Sequence, residues 1–237
     1  MSLARRIALA IAAFLVPAAS LHAAVTLFQD DFSSGSLAPS RWIVIQDPPA
    51  NKVSVVGGEM VATYIGDNTV PRYAVARSVP IALPAGWTSV TLSGQWRYIY
   101  GITGEFIATM FAENEPTTRF VQCGYAGSGG PLFAKSDSAG LNQSGPRNWP
   151  TQFVPFEMTI TPTGWTFKES GNTLVNEATT HMAGIESLQF QIGGWDVSPY
   201  YNQATFDNMR LDVVPEPATL LLVGAGLAAG MAARRRK

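Results

Sequence analysis

The stretch FVPFEMTITPTGWTFKE, residues 153–169, decides the fold. Apolar and polar residues alternate from Phe156 to Ile160, and a Pro-Thr-Gly turn separates this run from a second β-rich run. Apolar residues at every second position indicate a strand with one buried face. Helical periodicity is almost absent between residues 25 and 214, so the whole body is predicted to be all-β.

Similar short β-rich runs recur along the body, with Gly, Pro, Asn and Asp between them. A polar, glycine-rich stretch, Gly124–Gly145, interrupts the series, and alternation across Thr205–Leu211 predicts another half-buried strand. Regular strand spacing with turn signals predicts a single β-sandwich or jelly roll over residues 25–213. The predicted strands include WIVI (42–45), KVSVVGGEMVATY (52–64), YAVARSV (73–79), SVTLSGQWRYIY (89–100), EFIATMF (105–111), RFVQCGY (119–125), SLQFQIGG (187–194) and ATFDNMRLDVV (204–214).

The N-terminus, residues 1–24, has the layout of an export signal. MSLARR is a positive n-region, IALAIAAFLV is a short apolar core, and small residues follow from Pro17 to Ala24. The apolar core is too short to span a bilayer comfortably. Cleavage after Ser20, Ala23 or Ala24 fits equally well, and each predicts an exported protein.

The C-terminus, residues 214–237, has three parts in order. Pro215 and Pro217 bracket a glutamate and keep the segment extended. Sixteen uncharged residues follow at 218–233, long enough for a transmembrane helix of roughly 24 Å, which is short for a hydrocarbon core of about 30 Å. The closing RRRK favours the cytoplasmic side of a membrane.

This layout resembles the PEP-CTERM sorting signal of Gram-negative, exopolysaccharide-producing bacteria. The resemblance implies processing by an exosortase, a membrane transpeptidase analogous to the sortases of Gram-positive cells. It implies an inner-membrane intermediate, held by the C-terminal helix before processing, and then the cell surface or the extracellular matrix as destination. By this resemblance, the recognition motif is Pro215, Glu216 and Pro217, and the basic end is Arg234, Arg235, Arg236 and Lys237.

The body resembles the concanavalin A-like lectin/glucanase superfamily, which implies a jelly-roll β-sandwich. LFQDDFSSGSLAPSRWIV (27–44) is similar to the opening strand and lead-in of family 16 glycoside hydrolases. NKVSVVGGEMVATY (51–64) is similar to the next hairpin, and residues 154–175 to the paired strands before the late loop. LQFQIGGW (188–195) and ATFDNMRLDVV (204–214) are similar to the closing strands.

Charge and cysteine content exclude several function classes. Residues 25–214 contain ten Lys/Arg and sixteen Asp/Glu, a net charge of about −6. An acidic body without basic clusters repels phosphate backbones, so no nucleic-acid partner is expected. Cys123 is the single cysteine, which excludes an intramolecular disulfide or a cysteine metal cluster. We expect it to be a buried small hydrophobe.

Catalytic patterns are missing from the sequence. Family 16 hydrolases carry Glu-x-Asp-x-x-Glu on one strand, which sets two carboxylates on the same cleft face; this sequence lacks that string. The nearest pair, Glu113 and Glu115, precedes Pro116 and is expected in a loop. His181, the one histidine of the body, is expected in a solvated loop. Neither His181 nor Cys123 lies in a motif that would make them a catalytic base and nucleophile. We therefore expect no enzymatic activity.

The superfamily resemblance implies a structural calcium ion. In such domains a calcium ion often links the closing strand to an early turn. Asp207 is the predicted carboxylate ligand, Gly57 or Gly58 the predicted carbonyl donor, and Asp31 a further charge near the first strand. Calcium prefers such carboxylate and carbonyl oxygens.

Aromatic side chains in polar, loop-like stretches are candidates for stacking on sugar rings. Trp42, Trp96 and Trp165 lie within strand patterns and are expected in the core. The predicted glycan platform is Trp149, Trp195, Tyr200 and Tyr201.

Three functions fit these patterns. The leading hypothesis is an exported, non-catalytic β-sandwich that binds extracellular polysaccharide or packs into a biofilm matrix. The alternatives are a glycan-active hydrolase or lyase with dispersed catalytic residues, and a purely structural matrix or adhesion protein.

Overall fold

The computed structural model describes residues 24–47, 50–101, 103–126, 130–137, 142–146 (backbone only) and 149–216. Within these ranges the chain forms sixteen β-strands and no helix, so the all-β prediction is confirmed. A membrane-spanning helix is accordingly not found in this part of the chain. Residues 1–23 of the predicted signal peptide, Pro217, the predicted helix at 218–233 and the basic end lie outside the described residues.

Two antiparallel sheets form the sandwich. The strands of the first, sheet I, run in the order β14-β13-β12-β7-β16-β4-β3, and β1 pairs with β16. Sheet I consists of β1 (Val25–Asp30), β3 (Lys52–Val56), β4 (Glu59–Tyr64), β7 (Trp87–Tyr100), β12 (Val154–Thr161), β13 (Gly164–Glu169), β14 (Asn172–Ala178) and β16 (Asn202–Pro215).

The second sheet, sheet II, has the order β11-β10-β9-β8-β15-β5-β2, and β6 pairs with β15. Two of its strands, β10 and β11, arise from the glycine-rich stretch that the sequence pattern does not identify as strand. Sheet II consists of β2 (Trp42–Gln46), β5 (Arg72–Ser78), β6 (Ile81–Ala82), β8 (Glu105–Ala112), β9 (Phe120–Ala126), β10 (Pro131–Ser136), β11 (Asn142–Pro146) and β15 (Ser187–Asp196).

The alternation predicted in β12 is confirmed: Phe156, Met158 and Ile160 are buried. The prediction of alternation is wrong for part of β16, because two residues separate the buried Phe206 from the buried Met209. The register shifts between Asp207 and Arg210. This β-bulge absorbs the extra residue and returns Met209 to the core.

The core lies between the sheets and is rich in aromatic side chains. The Trp96 ring of sheet I stacks on Phe156 at 4.4 Å and meets Phe106 of sheet II edge-on at 5.5 Å. Trp42 and Trp165 are buried as well, so the predicted core tryptophans are confirmed. Cys123 is free and buried, as expected.

Candidate functional site

The outer face of sheet II, the side turned away from the core, gathers residues from five strands. In β8, Phe106, Ala108 and Met110 point into the hydrophobic core. Glu105, Ile107, Thr109 and Phe111 therefore point to the opposite face, because side chains alternate along a strand. Cross-strand pairing extends each of these positions into a row that runs across the sheet.

The first row, here the aromatic row, contains Tyr73, Trp195 and Glu105, which are paired across β5, β15 and β8. The Tyr73 and Trp195 rings lie 6.3 Å apart at 33°. The indole Nε1–H of Trp195 donates a 3.0 Å hydrogen bond to Glu105 Oε2. Since Tyr73 is 42% exposed and Trp195 half-buried, the row presents a fixed aromatic surface to solvent.

The second row is apolar and has few side chains. Gly193 and Gly124 flank the buried Ile107 on the neighbouring strands. A Cβ at Gly193 would lie 2.2 Å from the Ala74 carbonyl oxygen, and one at Gly124 would lie 2.0 Å from the Phe106 carbonyl oxygen. Glycine is therefore required at both positions. At these positions no side chain projects from the sheet between the first row and the third row.

The third row, here the polar row, crosses five strands. Pairing in register places Gln191 between Arg77 and Thr109, and Gln122 between Thr109 and Lys135. The Arg77 guanidinium donates to Gln191 Oε1 at 3.0 Å. Thr109 is 5% exposed, and its Oγ1 has no hydrogen-bond partner among the described residues.

Both cations of the polar row lie over aromatic rings of the same face. The Arg77 Cζ is 5.0 Å from the Phe111 ring centroid, and the Lys135 Nζ is 5.7 Å from that of Phe133. Cation–π attraction of this kind holds a positive charge over a ring face. The cations are therefore placed on the outer face rather than extended freely into solvent.

Glu105 is the acidic group of the aromatic row. Burial raises its pKa, while the positive charge of Lys135 and the hydrogen bond from Trp195 act in the opposite direction. A carboxyl with a raised pKa is a feature of many acid–base sites. In the three rows, however, Glu105 is the single carboxyl among the described residues.

The four aromatic residues predicted as a glycan platform fall into separate ring contacts. Trp149 packs on Tyr98 at 3.7 Å, and its buried Nε1 has no partner among the described residues. Tyr201 lies 5.8 Å from Tyr100, and Tyr200 is exposed. Of the four, Trp195 lies on the outer face of sheet II; a glycan role for any of them stays a prediction.

The residues predicted to bind calcium lie around the bulge of β16. The Asp207 carboxylate accepts hydrogen bonds from the backbone N–H and the Nδ2 of Asn208. Burial raises the Asp207 pKa, and the negative charges of Glu59 and Asp31 add to this. Gly57 forms the turn between β3 and β4 with a φ of 63°.

The described residues contain no group of three or more His, Cys, Asp or Glu side chains arranged to hold a metal ion. Calcium binding through Asp207, Asp31 and a glycine carbonyl therefore stays a prediction.

The predicted non-catalytic loop positions have different environments. Glu113 and Glu115 lie in the turn after β8, as expected. His181 also lies in a turn, but the prediction that it is solvated is wrong: its side chain is 9% exposed and its Nε2 lies 3.0 Å from Asp137 Oδ1. Its Nδ1 lies 2.9 Å from Thr179 Oγ1. The buried ring ties this turn to the end of β10.

The first two residues of the predicted sorting motif lie on the sandwich. Pro215 pairs with Trp87 at the end of β16. The Glu216 N–H donates to the Gly86 carbonyl oxygen at 2.6 Å. The motif thus begins where the last strand ends.

Sequence reasoning missed Tyr73, Glu105 and the polar row. Each belongs to a run recognised as strand, and alternation could have separated its outward positions from its inward ones. Which strands lie side by side could not be read from alternation.

The comparisons with known proteins address the tail and the fold. Residues 213–237 match the PEP-CTERM protein-sorting motif. This match confirms the resemblance of the tail: the chain carries the signal of an exported protein that is sorted via the membrane, and the motif implies processing by an exosortase. A comparison with curated proteins gives no match.

Solved structures of similar fold include glycan-active proteins. An endo-β-galactosidase from Clostridium perfringens that releases GlcNAcα1-4Gal has a TM-score of 0.58 at 10% identity, over 80% of this chain and 62% of that one. An endo-acting O-glycanase from the human gut microbiota has a TM-score of 0.62 at 13% identity, over 81% and 100%.

An alginate lyase of polysaccharide lyase family 7 has a TM-score of 0.54 at 11% identity, over 75% of this chain and 99% of that one. At such low identity these similarities establish the fold alone. They confirm the jelly-roll β-sandwich.

Proposed function

We propose that this protein is an exported, non-catalytic glycan-binding β-sandwich of a Gram-negative bacterium. An exosortase sorts it to the cell surface or the exopolysaccharide matrix. The C-terminal helix holds the chain in the inner membrane before processing. Extracellular polysaccharide is the ligand, and it binds on the outer face of sheet II.

The aromatic row is the observation that carries this proposal. A ring face half open to solvent stacks on the apolar side of a pyranose, while nearby polar groups orient the hydroxyls. Trp195 has a fixed ring orientation because Glu105 accepts its Nε1–H at 3.0 Å, and Tyr73 widens the surface. Gln191 and Gln122 supply amide groups two rows away.

The single carboxyl supports binding over hydrolysis. Glycosidases need two carboxyl groups, about 5–5.5 Å apart for retention and 6.5–9.5 Å for inversion. The three described rows hold Glu105 alone. The Asp47 carboxylate accepts the Tyr73 N–H at the end of the aromatic row, but three strand spacings, about 14 Å, separate it from Glu105. Its raised pKa favours one alternative, a glycan-active hydrolase or lyase that uses Glu105 as an acid or base, with other catalytic groups outside these rows.

The binding test uses the processed protein, purified from the producing host, on an array of bacterial polysaccharides. Trp195→Ala is expected to weaken binding at least tenfold, about 1.4 kcal/mol, because it removes the stacking surface. Tyr100→Ala is the matched control, since it removes an exposed aromatic ring from β7 of sheet I that is not among the predicted glycan residues.

The array distinguishes the three hypotheses. New reducing or unsaturated ends that appear with the native protein and disappear with Glu105→Gln would establish the enzyme. A complete lack of binding and turnover would leave a structural matrix or adhesion protein.

The sorting step has its own measurement, mass spectrometry of the mature C-terminus. We expect residues 234–237 to be missing from the surface protein, because the exosortase removes the apolar helix and the basic end. Their retention would indicate a plain membrane anchor instead.

A further inference from the structure

The cationic side chains of the body are unevenly paired. Nine of the ten Lys and Arg residues between positions 25 and 214 are described. Six of them form ion pairs with carboxylates at 2.5–3.8 Å: Arg41–Asp30, Arg72–Asp67, Arg97–Glu59, Arg119–Glu115, Lys168–Glu157 and Arg210–Asp212. Arg77, Lys135 and Lys52 have no ion pair with a described residue.

Two of these three cations share the polar row. Arg77 and Lys135 lie on strands separated by β15, β8 and β9, so about 19 Å of sheet separates them at about 4.8 Å per strand. In a body with a net charge of about −6, two cations of one face that form no ion pair with a described carboxylate are a local exception to an otherwise anion-repelling surface. Glu105 lies on the same face, and the positive charge of Lys135 acts to lower its pKa without an ion pair between them.

One side chain between the two cations, Thr109, lacks a hydrogen-bond partner among the described residues. Its hydroxyl lies at the centre of the row and is nine-tenths buried. Buried polar atoms are normally hydrogen-bonded, so an orphan within a row of donors indicates a missing acceptor. A guanidinium presents a planar fork that fits a carboxylate, and a lysine adds a point charge.

We propose that the polar row binds an acidic polysaccharide, with Arg77 and Lys135 each pairing with a uronate carboxylate of the same chain. The glutamines and Thr109 bind hydroxyl groups between the two charged positions, and Trp195 stacks on a neighbouring sugar ring. This inference rests on the proposed glycan-binding function and names its ligand class.

The test measures binding of the processed protein to alginate, polygalacturonate and hyaluronan, each beside its carboxyl-reduced, neutral form. Binding to at least one native polymer is expected to exceed binding to its reduced form about tenfold or more. Arg77→Gln is expected to weaken it about 10- to 100-fold, as for a charged hydrogen bond. Rising salt is expected to weaken it as well.

Controls separate charge from folding. Lys52→Gln makes the same charge change on sheet I and is expected to leave affinity unchanged. Lys135→Gln removes the second cation without disturbing the Arg77–Gln191 hydrogen bond, and Arg77→Lys is expected to restore only part of the affinity. Thermal melting of every variant identifies a loss of folding.

The failures are distinguishable. Equal binding of native and reduced polymers that depends on Trp195 but not on Arg77 or Lys135 would overturn the acidic ligand and leave glycan binding intact. No binding to any polymer, native or reduced, would overturn both proposals.

Discussion

The buried carboxylate of Glu169 is held by a tryptophan donor and a tyrosine donor. The Trp96 Nε1–H donates to Glu169 Oε1 at 2.9 Å, and the Tyr125 hydroxyl donates to the same carboxylate at 2.8 Å. Trp165 makes a comparable 2.7 Å bond to Glu177 nearer the surface. The two tryptophans thus form a natural pair for measuring what such a donor contributes at two depths.

We expect Trp96→Phe to lower the free energy of unfolding by about 1–3 kcal/mol more than Trp165→Phe does. Removing a donor from a buried carboxylate leaves part of its desolvation cost uncompensated, and Glu169 is 6% exposed, whereas the bond to Glu177 is only partly buried. Urea denaturation of both variants provides the comparison. Equal losses would mean that the remaining partners of Glu169 compensate for the lost donor.

Glu105→Gln is expected to raise the melting temperature at pH 7 and to change it little at pH 4. Because burial raises the pKa of Glu105, its contribution to stability is full below the unfolded pKa and is lost as the pH rises through the folded pKa. Glutamine imitates the protonated form and still accepts the Trp195 Nε1–H.

Melting curves at both pH values test this prediction, with Glu186→Gln as an exposed control. A native protein more stable than Glu105→Gln at pH 7 would contradict the expectation. It would show that the folded protein stabilises the ionised carboxylate of Glu105 more than the neutral amide.

At the level of elements, β16 organises sheet I. Its first half pairs with β4 and its second half with β1, and β7 lies along the other side. The bulge at 207–210 adjusts the strand so that both halves bury their apolar residues. Asn208 adopts a φ of 52° there, a left-handed conformation that asparagine tolerates better than most residues.

We expect Asn208→Val to destabilise the fold by about 1–2 kcal/mol and Asn208→Gly to be nearly neutral. A β-branched residue is strained in the left-handed region, whereas glycine is not. Guanidinium denaturation of the two variants measures the difference, and comparable stabilities would show that the bulge can relax to ordinary strand geometry.

At the scale of the whole molecule, the last strand of the sandwich, β16, ends where the sorting motif begins. Thr88 Oγ1 donates to the Val214 carbonyl oxygen at 3.0 Å, one residue before the motif. Together with the pairing of Pro215 and the 2.6 Å hydrogen bond of Glu216, this holds the start of the sorting motif against the β6–β7 turn.

A flexible spacer of six Gly/Ser residues between Val214 and Pro215 is therefore expected to speed processing, because the motif no longer has to leave the sandwich to reach a membrane protease. Pulse-labelling followed by mass analysis of the C-terminus in the producing host gives the rate. The same insertion between Gly57 and Gly58, a turn with open space around it, is the control. An unchanged rate would show that this docking does not limit processing.

Local patterns in the sequence were sufficient for two conclusions. Alternation in β12 predicted the all-β class, because burying one face of a strand imposes a period of two wherever the strand lies. The tail was recognisable because a sorting signal is read as a contiguous segment, so its three parts keep their order in the sequence. Burial of Trp42, Trp96 and Trp165 followed from the same strand patterns.

Tertiary structure decided the rest. The polar row joins Arg77 to Gln191, 114 positions apart, and only strand order and register bring them together. The bulge at Asn208, the burial of His181 and the separation of Trp149 from Trp195 likewise depend on contacts distant in sequence. Periodicity reports which face of a strand is buried, but neighbours across a sheet are set by the packing of the whole chain. The sorting signal can therefore be recognised from local sequence, whereas the residues that share the outer face of sheet II cannot.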